Sequence, residues 1–168
     1  VQEFFRTYYH PANASLVLAG DVETQRAFEL ADAYFGEMPA GVRPKTISNG
    51  AELPAEHRLV LEDRVELPRL YLAWHSPAMF AAGDAEMDLV GDLLANGKTS
   101  RLYKTLVYEL RIALDVSAYQ SSREIGSFFL LVATAAPGHT LTEIADRIDE
   151  ELRRVANDGP TVEEMERA

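Results

Sequence analysis

One stretch of sequence decides the fold: ALDVSAYQSSREIGSFFLLVATA, residues 113–135. It contains two segments rich in strand-forming residues, 113–120 and 127–135, and Gly126 between them suits a hairpin turn. Consecutive strands joined by a short turn pair in the antiparallel sense. The stretch therefore predicts two neighbouring antiparallel strands.

Two further strands are predicted upstream, over residues 58–62 and 69–75. Pro68 separates them, because proline cannot donate to a sheet hydrogen bond. In the second strand Leu70, Leu72 and Trp74 alternate with Tyr71, Ala73 and His75. This alternation is typical of a β-strand.

Apolar residues at helical spacing predict three helices: residues 84–95, a second helix capped by Thr99 or Ser100, and a third that begins at Thr140. Thr140 forms a capping box with Glu143. The third helix carries an apolar stripe of Leu141, Ile144, Ile148, Leu152 and Val155. Its other face, predicted to be exposed, places acids four residues before arginines in the pairs Glu143–Arg147, Asp149–Arg153 and Glu150–Arg154. This order of elements predicts an α+β fold, a mostly antiparallel sheet with helices packed on one face.

The N-terminal quarter has its own pattern. Residues 14–20 form an apolar run that predicts a buried strand, and Asp21 is suited to cap a helix predicted over residues 23–35. Residues 37–54 hold three of the eight prolines and no apolar periodicity. That composition predicts a linker.

Composition and charge limit the possible partners. The chain has 168 residues, 47% of them hydrophobic, and 16 Lys and Arg against 27 Asp and Glu give a net charge of −11. Nucleic acids and anionic membrane surfaces are disfavoured, because both are bound through clustered basic residues. Cysteine is absent, which excludes disulfides, thiolate catalysis and cysteine zinc sites. Apolar runs fall short of the ~20 residues that a membrane span needs.

Both ends predict a segment excised from a longer protein. Four aromatic residues within the first nine require a core to bury them. Near the other end Thr161 and Glu164 form a capping box, but the seven residues from Val162 onward are too few for a stable isolated helix. Natural termini that fray are the alternative.

The residues offer little catalytic chemistry of their own. Zinc peptidases need two histidines and a carboxylate, as in H-E-x-x-H or H-x-x-E-H, and both motifs are absent. The four histidines, at positions 10, 57, 75 and 139, include no pair at i,i+4 spacing. The serine motif G-x-S-x-G is also absent.

A phosphate-binding loop is only partly matched. Gly97-Lys98-Thr99 supplies the end of G-x-x-x-x-G-K-[ST], but Asp92 stands where the first glycine is required. A turn between two helices is the preferred interpretation, because a carboxylate at that position repels phosphate.

An ordered set of motifs is more specific. They are Phe4-x-x-x-Tyr8-Tyr9-x-Pro11-x-Asn13 leading into Gly20-Asp21, Leu94-Ala95-Asn96-Gly97-x-x-Ser100-Arg101-Leu102, Val116-Ser117-Ala118 followed by Gly126-Ser127-Phe128, and Gly159-Pro160-Thr161-x-Glu163-Glu164. Together they resemble the insulinase/pitrilysin family of zinc metallopeptidases, which includes mitochondrial processing peptidase. The resemblance covers essentially the whole chain.

The resemblance implies a division of the chain and an absent metal site. Residues 1–38 would be the closing strand and helix of a preceding homologous domain, 39–56 a linker, and 57–168 a non-catalytic α+β domain truncated at its C-terminus. Zinc would be held by H-x-x-E-H in the preceding domain, so the chain itself is expected to hold no metal and to have no catalytic residue. The family-motif positions, expected to be structural, are Gly20, Asp21, Gly97, Ser100, Arg101 and Leu102.

The sequence departs from the family at two positions that reach substrate. Many active members carry an Arg in the second helix after the linker and a Tyr in the next strand, where this chain has Val107 and Leu114. Tyr108 and Arg111 are close in sequence, but one helical residue turns by about 100° and neither replaces the missing side chain by default. The substrate-binding residues are therefore left unassigned.

Three hypotheses for function follow. The leading one is a non-catalytic, chamber-forming part of a zinc-dependent endopeptidase that acts on peptides or unfolded proteins. The alternative is a degenerate homologue that serves as a peptide-binding or assembly subunit, and a third is nucleotide binding at residues 97–100. The expected partners are a peptide substrate and the zinc-bearing domain or a homologous subunit, without nucleic acid or a membrane span. The resemblance favours the bacterial periplasm or another extracytoplasmic site.

Overall fold

The computed structural model describes residues 1–45 and 53–167 and divides the chain into two compact units, Val1–Ser48 and Asn49–Ala168. Part of the predicted linker, residues 46–52, lies outside the described residues. The assignment of residues 1–38, 39–56 and 57–168 to two homologous domains and a linker stays a prediction.

The first unit contains helix α1 (Gln2–Tyr8), a 3-10 turn (Pro11–Asn13) and helix α2 (Thr24–Phe35). The helix predicted over residues 23–35 is confirmed, but the prediction that Asp21 caps it is wrong. Glu23 is the cap, because it directly precedes α2 and its carboxylate accepts hydrogen bonds from the backbone N–H groups of Gln25 at 3.1 Å and Arg26 at 2.9 Å.

Two predicted strands are not formed in the structure. Residues 14–20 have no strand partner, and Val17 is 84% exposed. Residues 58–62 are likewise unpaired, and Val60 is 85% exposed. A strand exists only as a ladder of hydrogen bonds with a neighbour, and no segment among the described residues supplies one. Both strand predictions are therefore wrong for this structure, although the apolar composition that prompted them is real.

The second unit is built on three antiparallel strands: β1 (Arg69–Ser76), β2 (Ala113–Ser121) and β3 (Ser127–Ala135). Their order in the sheet is β1-β3-β2, so the hairpin predicted between β2 and β3 is confirmed and β3 lies in the centre. The register of β2 shifts between Ala113 and Asp115, which leaves Leu114 at a bulge.

Four helical segments accompany the sheet: α3 (Asp84–Ala95), a π-helix (Tyr103–Glu109), α4 (Leu141–Asp158) and α5 (Val162–Arg167). The predicted α3 and α4 are confirmed. The second predicted helix is wound as a π-helix, in which the Leu110 N–H donates to the Thr105 carbonyl at 3.0 Å, five residues back. The apolar spacing in the sequence cannot distinguish this winding from an α-helix.

Two cap and pairing predictions require correction. The Ser100 hydroxyl donates to the Gly97 carbonyl at 2.7 Å, so it closes the turn rather than capping the helix. On α4 the Thr140 hydroxyl accepts from the Glu143 N–H, which is half of the predicted capping box; the Glu143 carboxylate contacts His139 instead of the Thr140 N–H. Of the three ion pairs predicted there, only Asp149–Arg153 forms, at 3.7 Å; Arg147 instead binds Glu150, and Arg154 binds Glu151. Both replacements span three residues, which the helix brings as close as four.

The core of the second unit lies on one face of the sheet. The fully buried side chains come from α3, the loop after it, the π-helix, β3 and α4: Leu94, Leu102, Leu106, Leu131, Ile144 and Ile148. The apolar stripe predicted on α4 is therefore confirmed at its centre. The predicted α+β class, with a mostly antiparallel sheet covered by helices on one face, is also confirmed.

Candidate functional site

The face of the sheet opposite the helices is the principal candidate site. Alternate residues of each strand share a face, and the strand register aligns those of this face in four rows across β1, β3 and β2. The rows are Arg69–Thr134–Asp115, Tyr71–Val132–Ser117, Ala73–Leu130–Tyr119 and His75–Phe128–Ser121. These twelve residues are called the open face below.

The two central rows of the open face are mainly apolar, and several side chains of the face are accessible, although Thr134 in the first row is buried. Tyr71 is 59% exposed, Tyr119 48% and Phe128 39%. On the opposite side of β3, by contrast, Leu131 and Ala133 are completely buried. Helices thus cover only one side of a strand that is apolar on both.

Charge is confined to the ends of the open face. Arg69 and Asp115 stand in the first row, where the Arg69 Nε donates to the Thr134 hydroxyl at 3.1 Å. His75 stands in the last row. The two central rows contain no charged side chain, so the arrangement can hold a chain by contact but offers no catalytic group. No residue of this face was predicted from the sequence as a site residue, although the alternation of side chains in β1 was visible there.

A constrained loop borders the end of the sheet where β1 stops. The Asp84 carboxylate accepts hydrogen bonds from the Ser122 hydroxyl at 2.7 Å, the Phe80 N–H at 2.8 Å and the Gln120 amide. The Ser122 hydroxyl bond and the Phe80 backbone bond, together with Gln120, lower the pKa of Asp84. Phe80 has a left-handed φ of 62° and is 94% exposed. The loop is therefore fixed by Asp84 while its aromatic side chain contacts solvent.

The Gly97–Leu102 motif forms a tight turn between α3 and the π-helix. Gly97 has a φ of +80°, where a side chain would be strained, and Leu102 is completely buried. A cavity of about 250 Å³ beside the turn is lined by Asp92, Leu93, Asn96, Thr99, Ser100, Glu164 and Arg167. The lining has two carboxylates against one guanidinium, so it is not the cationic site that a phosphate requires, which argues against the nucleotide hypothesis.

Arg101 joins the motif to α5. Its guanidinium donates to both carboxylate oxygens of Glu164, each at 2.8 Å, and to the Gly159 carbonyl at 2.8 Å. The capping box predicted at Thr161 and Glu164 is present, with bonds of 2.7 and 3.2 Å. The hydrogen bond from Arg101 is the main cause that lowers the pKa of Glu164 to about 2, and the same bond raises that of Arg101. This arrangement anchors α5 and leaves no free group for chemistry.

The remaining predicted positions lie elsewhere. Gly20 has a φ of +136° and accepts a hydrogen bond from the Val22 N–H, and Asp21 beside it is exposed. Val107 packs against the core, whereas Leu114 is 53% exposed at the bulge of β2. Neither supplies a polar contact.

Two neighbouring residues were considered for that role, Tyr108 and Arg111. Tyr108 is 73% exposed and lines a groove between the π-helix, α4 and α5. Arg111, between the π-helix and β2, has a left-handed φ of 56°. Tyr108 therefore stands on a different surface from the open face.

The described residues contain no group of three or more potential metal ligands. His10 contacts the carbonyl oxygens of Thr7 and Ala40, and His139 contacts Glu143 at 3.0 Å. Nor does any helix in the described ranges have both the length and the apolar character to cross a bilayer.

Comparison with known proteins agrees with this geometry. A curated relative named zinc protease PqqE, from Helicobacter pylori, is 28% identical over 145 residues, covering 82% of this chain and 32% of the relative. The crystal structure of a protease from Helicobacter pylori superimposes with a TM-score of 0.78 at 26% identity, over 97% of this chain and 40% of that one. A peptidase M16 inactive domain from Pseudomonas fluorescens has the same fold, with a TM-score of 0.72 at 18% identity over 97% of this chain and 39% of that chain.

The chain thus spans about a third of the curated relative's length. The model of one family, described as the peptidase M16 inactive domain, matches residues 1–168. The resemblance inferred from the ordered motifs is confirmed, and the chain belongs to the peptidase M16 inactive domain family.

Proposed function

We propose that this chain forms a non-catalytic wall of the peptide-accommodating chamber of a zinc-dependent endopeptidase, with the zinc motif outside these residues. The observation that carries the proposal is the open face, an accessible apolar sheet surface in a member of a peptidase family's inactive domain. Exposed contiguous apolar surface on a stable domain is typical of a binding surface. An extended or unfolded peptide has the apolar side chains that such a surface can cover.

The residues of this chain would bind and orient the peptide rather than cleave it. Tyr71, Leu130 and Tyr119 provide apolar contact from three adjacent strands. When zinc is bound elsewhere in the parent protein, it would activate the water that attacks the peptide bond. The relative named a zinc protease supports this division of roles.

Cross-linking tests the binding role directly. A photo-reactive amino acid placed at Leu130 of the full-length protein, exposed to a peptide substrate, should give a peptide adduct detectable by mass spectrometry. The matched control is Arg153, whose side chain is 74% exposed on α4. Adducts at position 130 and none at 153 support the proposal, whereas equal adducts, or none at 130, contradict it.

Peptidase assays test the catalytic division. Residues 1–168 with added Zn²⁺ should cleave no peptide, and the full-length protein should cleave in a chelator-sensitive manner. Adducts at position 130 without such cleavage by the full-length protein would favour the degenerate, peptide-binding homologue. Chelator-sensitive cleavage by residues 1–168 alone would contradict both hypotheses.

A further inference from the structure

The chemistry of the open face points to a particular class of peptide. We infer that the open face selects extended segments with aromatic or aliphatic side chains and few charges. This inference rests on the proposed function, since it concerns the same surface and the same peptide.

The size of the open face suits a short extended segment. Four rows lie along the strands, and alternate residues on one face are about 7 Å apart, so the face is about 20 Å long. An extended peptide rises about 3.3 Å per residue, which matches a segment of about six residues. Alternate side chains of that peptide would face the sheet.

The central rows favour uncharged side chains. Tyr71, Val132, Leu130 and Tyr119 provide apolar area there, and Ala73 and Ser117 add no charge. A lysine or arginine laid on these rows would lose water without gaining an acidic partner, and burial of an unpaired charge is unfavourable.

The charged row at one end does not reverse this preference. Asp115, which could attract a basic residue, stands in the same row as Arg69. Arg69 is already bonded to the Thr134 hydroxyl. The net charge of −11 of the whole chain repels an acidic peptide. It attracts a basic peptide from a distance, but a basic side chain laid on the central rows finds no acidic partner there. Peptides of either charge are therefore at a disadvantage to neutral ones.

Two tyrosines are the expected anchors. Tyr71 and Tyr119 stand on the two outer strands, on either side of Leu130 and Val132. Tyrosine offers a large apolar surface with few rotatable bonds, and its hydroxyl can bond a peptide carbonyl. Side chains of this kind contribute most of the affinity at many interfaces.

Peptide binding to the metal-depleted full-length protein tests this selection without cleavage. The binding of three fluorescent ten-residue peptides would be compared by anisotropy. The first has Phe or Leu at alternate positions, the second has Lys at those same positions, and the third has Glu there. The neutral peptide should bind at least about tenfold more tightly than either charged one, the difference expected when one or two anchor contacts are lost. Equal affinities would overturn the inference.

Variants at single tyrosines test whether the open face is the surface that selects neutral peptides. Tyr71→Ser and Tyr119→Ser should each weaken binding of the neutral peptide about tenfold and leave the charged peptides nearly unchanged. Tyr108→Ser removes an exposed tyrosine on the π-helix and should change nothing. Face variants that weaken all three peptides equally would overturn the selection.

Cross-linking at position 130 separates this inference from the proposed function. If all three peptides label that position equally well, the selection fails and the chamber role stands. If none of them labels it, the proposed function fails as well.

Discussion

The two sides of strand β3 carry the same kind of side chain and meet opposite surroundings. Phe129, Leu131 and Ala133 are buried under the helices, whereas the neighbouring Phe128 is 39% exposed and Leu130 is partly exposed. The covered side is explained by folding, because helices α3 and α4 need an apolar sheet to pack against. The side chains in the central rows of the open side take no part in that packing. The same apolar strand therefore has one face that folding covers and one that folding leaves accessible.

Truncating one leucine on each side is the strongest way to test this contrast. Leu131→Ala should destabilise the second unit by about 3 kcal/mol, because it leaves a cavity in a packed core. Leu130→Ala should cost less than about 1 kcal/mol, since its site is already partly open. Urea unfolding followed by the fluorescence of Trp74, the chain's single tryptophan, measures both. Equal losses would show that the open face is part of the core.

The covered side also depends on one ion pair beyond its apolar packing. Arg101→Ala should destabilise the second unit by about 2 kcal/mol, because it leaves the Glu164 carboxylate, only 16% exposed, without its partner. Arg153→Ala breaks an exposed pair and should cost less than about 0.5 kcal/mol. The same urea titrations apply, and a cost for Arg101→Ala no larger than for Arg153→Ala would contradict the importance of this pair.

Acid provides a reversible version of the same test. The pKa of Glu164 is lowered from its ordinary 4.5 to about 2, so its stabilising effect is complete above pH 4.5 and is lost as the pH falls towards 2. We expect a loss on the order of 1–2 kcal/mol over that range after allowing for solvent screening. Glu164→Gln should remove this part of the pH dependence. Identical pH profiles for both proteins would contradict the assignment.

The smallest expected effect lies where the π-helix meets β2. Arg111 adopts a left-handed φ of 56°, which costs an ordinary residue about 1 kcal/mol and glycine nothing. Arg111→Gly should therefore stabilise the second unit by about 0.5 kcal/mol after the entropy of the unfolded chain is counted. Arg123→Gly, at a hairpin position without a positive φ, should not stabilise it. Thermal melts of both variants measure this effect. A melting temperature of Arg111→Gly below that of the unsubstituted protein would contradict the assignment of backbone strain to Arg111.

Local patterns predicted much of the second unit from sequence. The hairpin, α3, the apolar stripe of α4 and the Thr161–Glu164 box depend on spacing and caps within a few residues, and each is confirmed. Residues 14–20 and 58–62 failed because apolar composition cannot show whether a partner strand is present. The π-helix was missed because its apolar residues satisfy either winding.

The candidate site was harder to predict than the fold. The alternation of Tyr71 with Leu72 predicted strand β1 but did not assign either of its faces to a binding site. Leu130 and Leu131, however, are the same residue type on opposite sides of β3, and only the packing of the helices shows which one is open. The contact between Arg101 and Glu164 joins residues 63 positions apart, and no local pattern encodes it.

The attachment of α5 has a consequence for how the second unit opens. Residues Val162–Arg167 of this helix contribute no buried side chain, so their amide protons should exchange through a local opening rather than through global unfolding. Because Arg101 attaches it through Glu164, protonation of that carboxylate should increase the open population while the sheet stays closed. The open population of this segment would then increase as the pH falls.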